Sequence, residues 1–140
     1  MNCSNKQFSF LIIGLVVSLI NLSVATAGET VDGVTQLSQT EFSTKAQHEN
    51  TVVIDIRTER EYRAGHIKGA MNLAVADLLA DPSKLDIYED KDLVFYCHSG
   101  ARVKKLTNHL QAINHPSQNR LFHLKGDMRA WVARRLPVEH

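Results

Sequence analysis

Two short runs constrain the fold of this chain more than anything else in it. Thr51-Val52-Val53-Ile54-Asp55-Ile56 and Leu93-Val94-Phe95-Tyr96 are apolar without alternation. A strand with one wet face alternates apolar and polar residues, whereas a strand covered on both faces reads as a continuous apolar run, the habit of parallel sheets flanked by helices. Further short strands are expected at Val34-Thr35-Gln36-Leu37, Ala70-Met71-Asn72-Leu73 and Leu121-Phe122-His123-Leu124. Helical stretches fall between them. Ser38 and Glu41 have capping-box spacing and lead through Phe42, and Thr58 to Ala64 reads as a helix closed by Gly65. A stretch around Asp77 to Ala80 is broken by Pro82. From near Arg102 a longer helix sets Val103, Leu106, Leu110 and Ile113 on one face. A last helix, capped by Asp127, carries Met128, Trp131, Val132 and Leu136 on its inner side. Gly28 to Gly33 reads as a frayed polar lead and Asn114 to Asn119 as a turn. Strands alternating with helices imply an α/β domain with a mainly parallel central sheet flanked by helices.

The first 27 residues are different in kind. A single cation, Lys6, precedes the apolar stretch Phe8 to Val24, and Ala25-Thr26-Ala27 is a small-residue cleavage pattern. These are the three parts of a secretory signal peptide, so residues 1–27 are expected to be removed and residues 28–140 to form one domain with a single core. A retained anchor is the rival, but Gly14, Ser18, Asn21 and Ser23 dilute the stretch. The expected location is the periplasm in a Gram-negative source, with membrane contact only through the signal segment before cleavage. The segment takes one lysine and no acid from a chain with 16 basic and 15 acidic residues, leaving a formal charge of zero. That balance suggests neither a nucleic-acid partner nor an anionic membrane surface. The domain is expected to be a monomer.

Cleavage would leave Cys97 as the one cysteine, which cannot form an internal disulfide. It sits where Leu93 to Tyr96 gives way to His98-Ser99-Gly100-Ala101-Arg102. Ligands of open α/β sheets bind beyond the carboxyl ends of the strands. The turn from strand to helix can aim backbone N–H groups at one point, and the helix N-terminus adds partial positive charge. Such a cradle favours thiolate over thiol, and Arg102 can grip an oxyanion with two donors. Gly100 supplies the backbone freedom that a tight loop demands. Cys97 is therefore the candidate nucleophile, with His98, Ser99, Gly100, Ala101 and Arg102 binding substrate.

Here the chain resembles the rhodanese superfamily of sulfurtransferases. Cys97 to Arg102 is similar to the six-residue active loop that opens with the persulfide-forming cysteine. Asp55-Ile56-Arg57, Glu61-Tyr62 and Gly65-His66-Ile67-Lys68-Gly69-Ala70-Met71-Asn72 resemble the D-x-R, E-[FY] and G-H-I-x-G-A-x-N segments, and Gly126 with Ala130-Trp131 resembles G-G-x-x-A-W. The likeness spans about residues 34–138. Two departures stand out: Lys125, taken to occupy the first glycine position of the G-G pair, and Val103, where a small hydroxyl residue is usual. An exported single-domain member resembles the periplasmic phage-shock rhodaneses of bacteria.

The resemblance implies transfer of a sulfane sulfur through a Cys97 persulfide, from a small anionic donor such as thiosulfate to cyanide in assays or a thiol in the cell. It implies no metal or organic cofactor. Cysteine phosphatases that share this fold keep one more residue between cysteine and arginine, a wider ring than Cys97 to Arg102 provides. A persulfide carrier serving one protein partner, or a binding module, is the other alternative. Asp55, Arg57 and Glu61 read as a charge network holding the loop after the first run. His66 reads as a structural hydrogen-bonding residue, His98 as a lender of its backbone N–H and Trp131 as core. Lys104, Lys105 and Arg129 can steer anions toward the loop.

Overall fold

The computed structural model describes residues 29–140, so the expected signal segment lies outside the described residues. The chain runs β1 (Thr30–Val31), β2 (Val34–Leu37), α1 (Gln39–Lys45), β3 (Thr51–Asp55), α2 (Glu59–Arg63), β4 (Met71–Asn72) and α3 (Val75–Ala80). It continues through β5 (Asp92–Tyr96), α4 (Ala101–Ala112), β6 (Leu121–Leu124) and α5 (Asp127–Ala133), with 3₁₀ turns at Pro82–Tyr88 and Pro116–Arg120. The six strands lie in the order β1-β2-β6-β5-β3-β4. Among the strand pairs of the described residues, only β1–β2 is antiparallel.

The continuous apolar runs are explained by what covers them. Successive side chains of a strand point to opposite faces. Leu93, Phe95 and Cys97 join Ile54 and Ile56 in a cluster that includes Leu78 of α3 and Val103, Leu106 and Leu110 of α4. Val53, Val94 and Tyr96 join Phe42 of α1 with Met128 and Trp131 of α5 on the other side. Neither face of β5 is left to water, so polar alternation has no place there. Each fully buried Leu or Phe contributes about 1.5–3 kcal/mol of transfer free energy. Cys97 continues the inward alternation of β5 by one residue and is only 1% exposed.

Four details differ from the sequence expectations. Thr30 and Val31 form a strand instead of a frayed lead, because Asp32 (φ 51) and Gly33 (φ 77) make a two-residue turn of left-handed residues whose twist suits a hairpin. Ile113 is 47% exposed, since α4 ends at Ala112 and Thr107, not Ile113, shares the buried face with Val103, Leu106 and Leu110. Val132 is 56% exposed and Leu136 lies beyond α5, where it still packs against the second cluster. Asp127 does not cap α5 with its side chain; Gly126 precedes the helix and the carboxylate turns elsewhere.

Candidate active site

The parallel strands deliver their carboxyl ends to one edge of the sheet, and the candidate residues gather there. Arg57, just past β3, gives its Nε to both Asp55 oxygens at 3.0 Å, its Nη2 to Asp55 Oδ2 at 2.6 Å, and Nη2 again to the Gly65 carbonyl at 2.7 Å. Asn72 Nδ2, at the end of β4, donates to the carbonyls of Asp55 and Arg57 at 2.9 Å each. Burial works against the charge on Arg57, and the Asp55 carboxylate outweighs it and raises its pKa. This is the expected network around the post-β3 loop, but it divides: Glu61 belongs to a second pair.

Glu61 is the N3 residue of a capping box on α2. Its Oε2 accepts the Thr58 N–H at 3.1 Å, while the Glu61 N–H reaches Thr58 Oγ1 at 3.3 Å. The same carboxylate takes Arg102 Nη1 at 2.7 Å and Nη2 at 2.8 Å. The hydrogen bonds from Arg102 hold the Glu61 carboxyl at about 2, and Glu61 in turn raises Arg102. The guanidinium expected to face an anion is thus already gripped on one side. Five N–H donors make up the group and Glu61 takes two, so the others stay available to a ligand.

Cys97 is held by its backbone from behind. Its N–H donates to Asp127 Oδ1 at 2.7 Å and its carbonyl accepts the Met128 N–H at 3.1 Å, while the His98 carbonyl accepts the Arg129 N–H at 3.1 Å. In front, the Gly100 N–H reaches Cys97 Sγ at 3.1 Å. Gly100 has φ +95, a conformation that L side chains rarely adopt, and it precedes α4. The first turn of α4 leaves its N–H groups without helical partners. Of the donors expected from residues 98 to 102, the Gly100 N–H is the one seated on the sulfur. His98, Ser99 and Ala101 are exposed, and Arg102 is half-buried. Val103 is 1% exposed and packs into the core beneath the loop.

His66 donates from Nδ1 to the Tyr62 carbonyl at 3.1 Å and stacks on the Tyr62 ring, a structural role. Trp131 is buried, with Nε1 on the Pro137 carbonyl at 2.9 Å. Lys104 pairs with Asp32 at 2.8 Å and Lys125 with Glu29 at 2.8 Å, so neither is an unpaired cation; Lys105 and Arg129 are exposed.

The sequence reading missed His123 and Asp127. Gly126 (φ +83) and Asp127 (φ +54) are consecutive left-handed residues, the geometry that a pair of glycines serves. The departure from the G-G pair therefore falls at Asp127, and Lys125 lies before the turn, a correction to the alignment made from sequence. Spacing held the clue, because Ala130-Trp131 places the pair at 126 and 127. Asp127 Oδ2 accepts from His123 Nε2 at 2.9 Å, and Gln36 Nε2 donates to His123 Nδ1 at 3.0 Å. Two cavities meet the loop. One of about 650 Å³ lies at its His98 end, lined by Arg57, Ala64, Met128, Arg129, Val132 and Val138 among others. The second, about 360 Å³, touches Gly100 and His123.

A buried thiol that is touched by a backbone N–H and sits at a strand end beside an arginine is equipped for nucleophilic chemistry on a small polarizable centre. Known proteins resemble the chain in sequence and in fold. A sulfurtransferase of Allochromatium vinosum is 32% identical over 93 residues, 66% of this chain and 82% of that protein. A tRNA uridine(34) hydroxylase of Acholeplasma laidlawii is 35% identical over 78 residues, 53% of this chain but 24% of its own length. The crystal structure of a rhodanese-related protein from Thermoplasma volcanium superposes with a TM-score of 0.61 at 18% identity, covering 74% of this chain and 96% of that one. The family model of the rhodanese-like domain matches residues 38–134, and with that match over most of its length the chain belongs to the rhodanese-like family.

Proposed function

We propose that the protein is a sulfurtransferase that carries sulfane sulfur as a Cys97 persulfide, with thiosulfate as a donor and a thiol as the acceptor. The observation that carries this reading is the 3.1 Å contact of the Gly100 N–H with Cys97 Sγ inside a loop of four residues between cysteine and arginine. In the first step the Cys97 thiolate attacks the outer sulfur of thiosulfate; a new S–S bond forms, the old one breaks, and its electron pair leaves with sulfite. In the second step an acceptor thiolate attacks the terminal sulfur, the Cys97–S bond breaks, and the Cys97 thiolate returns. In each step the nucleophile supplies the electron pair of the new S–S bond and the leaving group keeps the pair of the broken one, so the sulfur passes as a neutral atom and no outside oxidant or reductant is needed. Loop N–H groups stabilise the charge in both, and the free donors of Arg102 hold the sulfonate end of the donor. The relative from Allochromatium vinosum, named a sulfurtransferase, supports the same chemistry.

The cavity at the His98 end favours a thiol with an apolar body over a bare anion as the acceptor, since Met128, Val132, Val138 and Ala64 line it beside Arg57 and Arg129. Phosphatase chemistry is disfavoured by the short loop. Action outside the cytoplasm is part of the proposal and rests on the signal-peptide pattern of residues 1–27; so is a monomeric state, on which that pattern does not bear. The test is intact-protein mass spectrometry before and after thiosulfate, then after cyanide. A gain of about 32 Da that cyanide removes and Cys97→Ser lacks is expected of the covalent intermediate. A free, alkylatable Cys97 that gains no mass from thiosulfate or a small persulfide donor overturns the reading.

A further inference from the structure

Asp127 is an odd residue for its place. Its backbone sits at φ +54, where glycine is at ease, and its carboxylate is 1% exposed. Both oxygens are committed, Oδ1 to the Cys97 N–H at 2.7 Å and Oδ2 to His123 Nε2 at 2.9 Å. Because the Gln36 amide nitrogen donates to Nδ1, the imidazole proton sits on Nε2 and points at the carboxylate. Gly100 packs against the same pair: a Cβ built on it would lie 3.2 Å from Asp127 Oδ2 and 3.4 Å from His123 Cε1. One carboxylate thus touches the amide of the nucleophile and backs the glycine whose N–H contacts the sulfur.

We propose that Asp127, oriented by His123, is the positioning residue of the Cys97 loop: it anchors the Cys97 amide and the Gly100 bend together, so that the Gly100 N–H stays on the sulfur through both half-reactions. This rests on the sulfur-transfer reading for its consequence, but not for its geometry. A carboxylate that merely satisfied a buried N–H would leave the Gly100 end of the loop and the chemical rate untouched. Strain at a left-handed, non-glycine residue beside a nucleophile is the kind that is kept where the geometry is used.

The test compares the full chain with Asp127→Gly and Asp127→Asn. Glycine takes this φ freely but removes both acceptors; asparagine tolerates it and keeps an oxygen for the Cys97 N–H. Two readouts are taken on each: hydrogen exchange at the Cys97 and Gly100 amides, and the kcat and KM of persulfide formation from thiosulfate. Asp127→Gly is expected to unfold cooperatively, to lose protection at both amides while β3 and β5 keep theirs, and to lower kcat by about 10- to 100-fold with KM nearly unchanged, the scale of a misplaced reactive group. Asp127→Asn is expected to restore kcat to within a few fold, about half an order of magnitude. A folded Asp127→Gly with unchanged exchange at Gly100 or an unchanged kcat overturns the proposal, as does an Asp127→Asn no faster than glycine. If Asp127→Gly does not fold, His123→Phe decides, because it removes the donor to Oδ2, and the Gln36 contact with it, while leaving Oδ1 to the Cys97 N–H; wild-type kcat and exchange in that variant overturn the role of the pair. A wild-type chain that takes up no sulfur instead overturns the sulfur-transfer reading, and exchange at Gly100 alone then decides the anchoring.

Discussion

At the scale of single residues, the site is a set of backbone groups held in place by side chains that never reach the sulfur. Gly100 is the clearest case. Alanine there would strain φ +95 and press its Cβ to 3.2 Å from Asp127 Oδ2. Gly100→Ala should therefore destabilise the fold by about 1–2 kcal/mol and slow persulfide formation, seen in urea titration and mass-resolved loading. Equal loading with an unchanged midpoint would show that the bend has slack. Glu61 offers a second case with a sign to work out. Its carboxyl lies at about 2 against an ordinary 4.5 because Arg102 donates to it. A group lowered in this way stabilises the fold above its unfolded pKa and loses that stabilisation as pH falls through the folded value, here between about 4.5 and 2. Glu61→Gln keeps the capping box yet drops the charge. With both side chains one-third exposed, it should cost about 0.5–1 kcal/mol at pH 7, and the gap to wild type should close near pH 2. A gap that persists at pH 2 would locate the effect in packing, not in the ion pair.

At the scale of elements, two helices of similar length and the same N-terminal device do different jobs. Ser38 closes a capping box on α1 with Glu41, and Thr58 closes one on α2 with Glu61. Only the second carboxylate extends to the loop, through Arg102. Ser38→Ala and Thr58→Ala should each destabilise by about 1 kcal/mol in chemical denaturation. Thr58→Ala alone should also raise KM for thiosulfate by a few fold, since Glu61 loses two of its tethers; equal kinetics in the two variants would uncouple α2 from the site. Elements of this kind were legible in the sequence because their signals are local. The apolar runs read correctly as doubly covered strands, and Ser38 with Glu41 read correctly as a cap. Where the reading overruns, the cause is local too: a periodic apolar pattern does not say where a helix stops, so it counts Ile113 inward although α4 ends at Ala112, nor where the covering layer stops, so it counts Val132 inward although that side chain, within α5, turns to solvent. The Asp32-Gly33 hairpin was hidden by polar neighbours whose role is set by pairing, with Thr30 opposite Thr35. His123 and Asp127 were not legible for the opposite reason. Their partners, Gln36 and Cys97, lie 87 and 30 residues away and meet only because β2, β6 and β5 are adjacent.

At the scale of the whole molecule, the tail of the chain returns to the site it helped to build. After α5, Trp131 Nε1 donates to the Pro137 carbonyl, and Glu139 pairs with His66 through N–H···O bonds of 2.9 Å in each direction. The tail thus lies along the Gly65-His66-Ile67 segment, whose Gly65 carbonyl receives Arg57, and it places Val138 in the wall of the 650 Å³ cavity. The loop's own hydrogen bonds run to Glu61, Asp127, Met128 and Arg129, and none comes from residues 138–140, although Val138 packs against the cluster that holds Met128 and Trp131. Deleting Val138 to His140 should then separate the two half-reactions. Loading of Cys97 from thiosulfate should stay within about twofold of the full chain, because the nucleophile and its N–H contact do not move. Discharge to a thiol with an apolar body should weaken through a higher KM, because one apolar wall is gone, while discharge to cyanide should not. Loss of two backbone hydrogen bonds should lower stability by about 1–3 kcal/mol, readable as a shifted urea midpoint. Parallel losses in loading and in discharge to both acceptors would mean that the tail holds the loop instead of the acceptor, and the cavity would lose its standing as the acceptor's entrance.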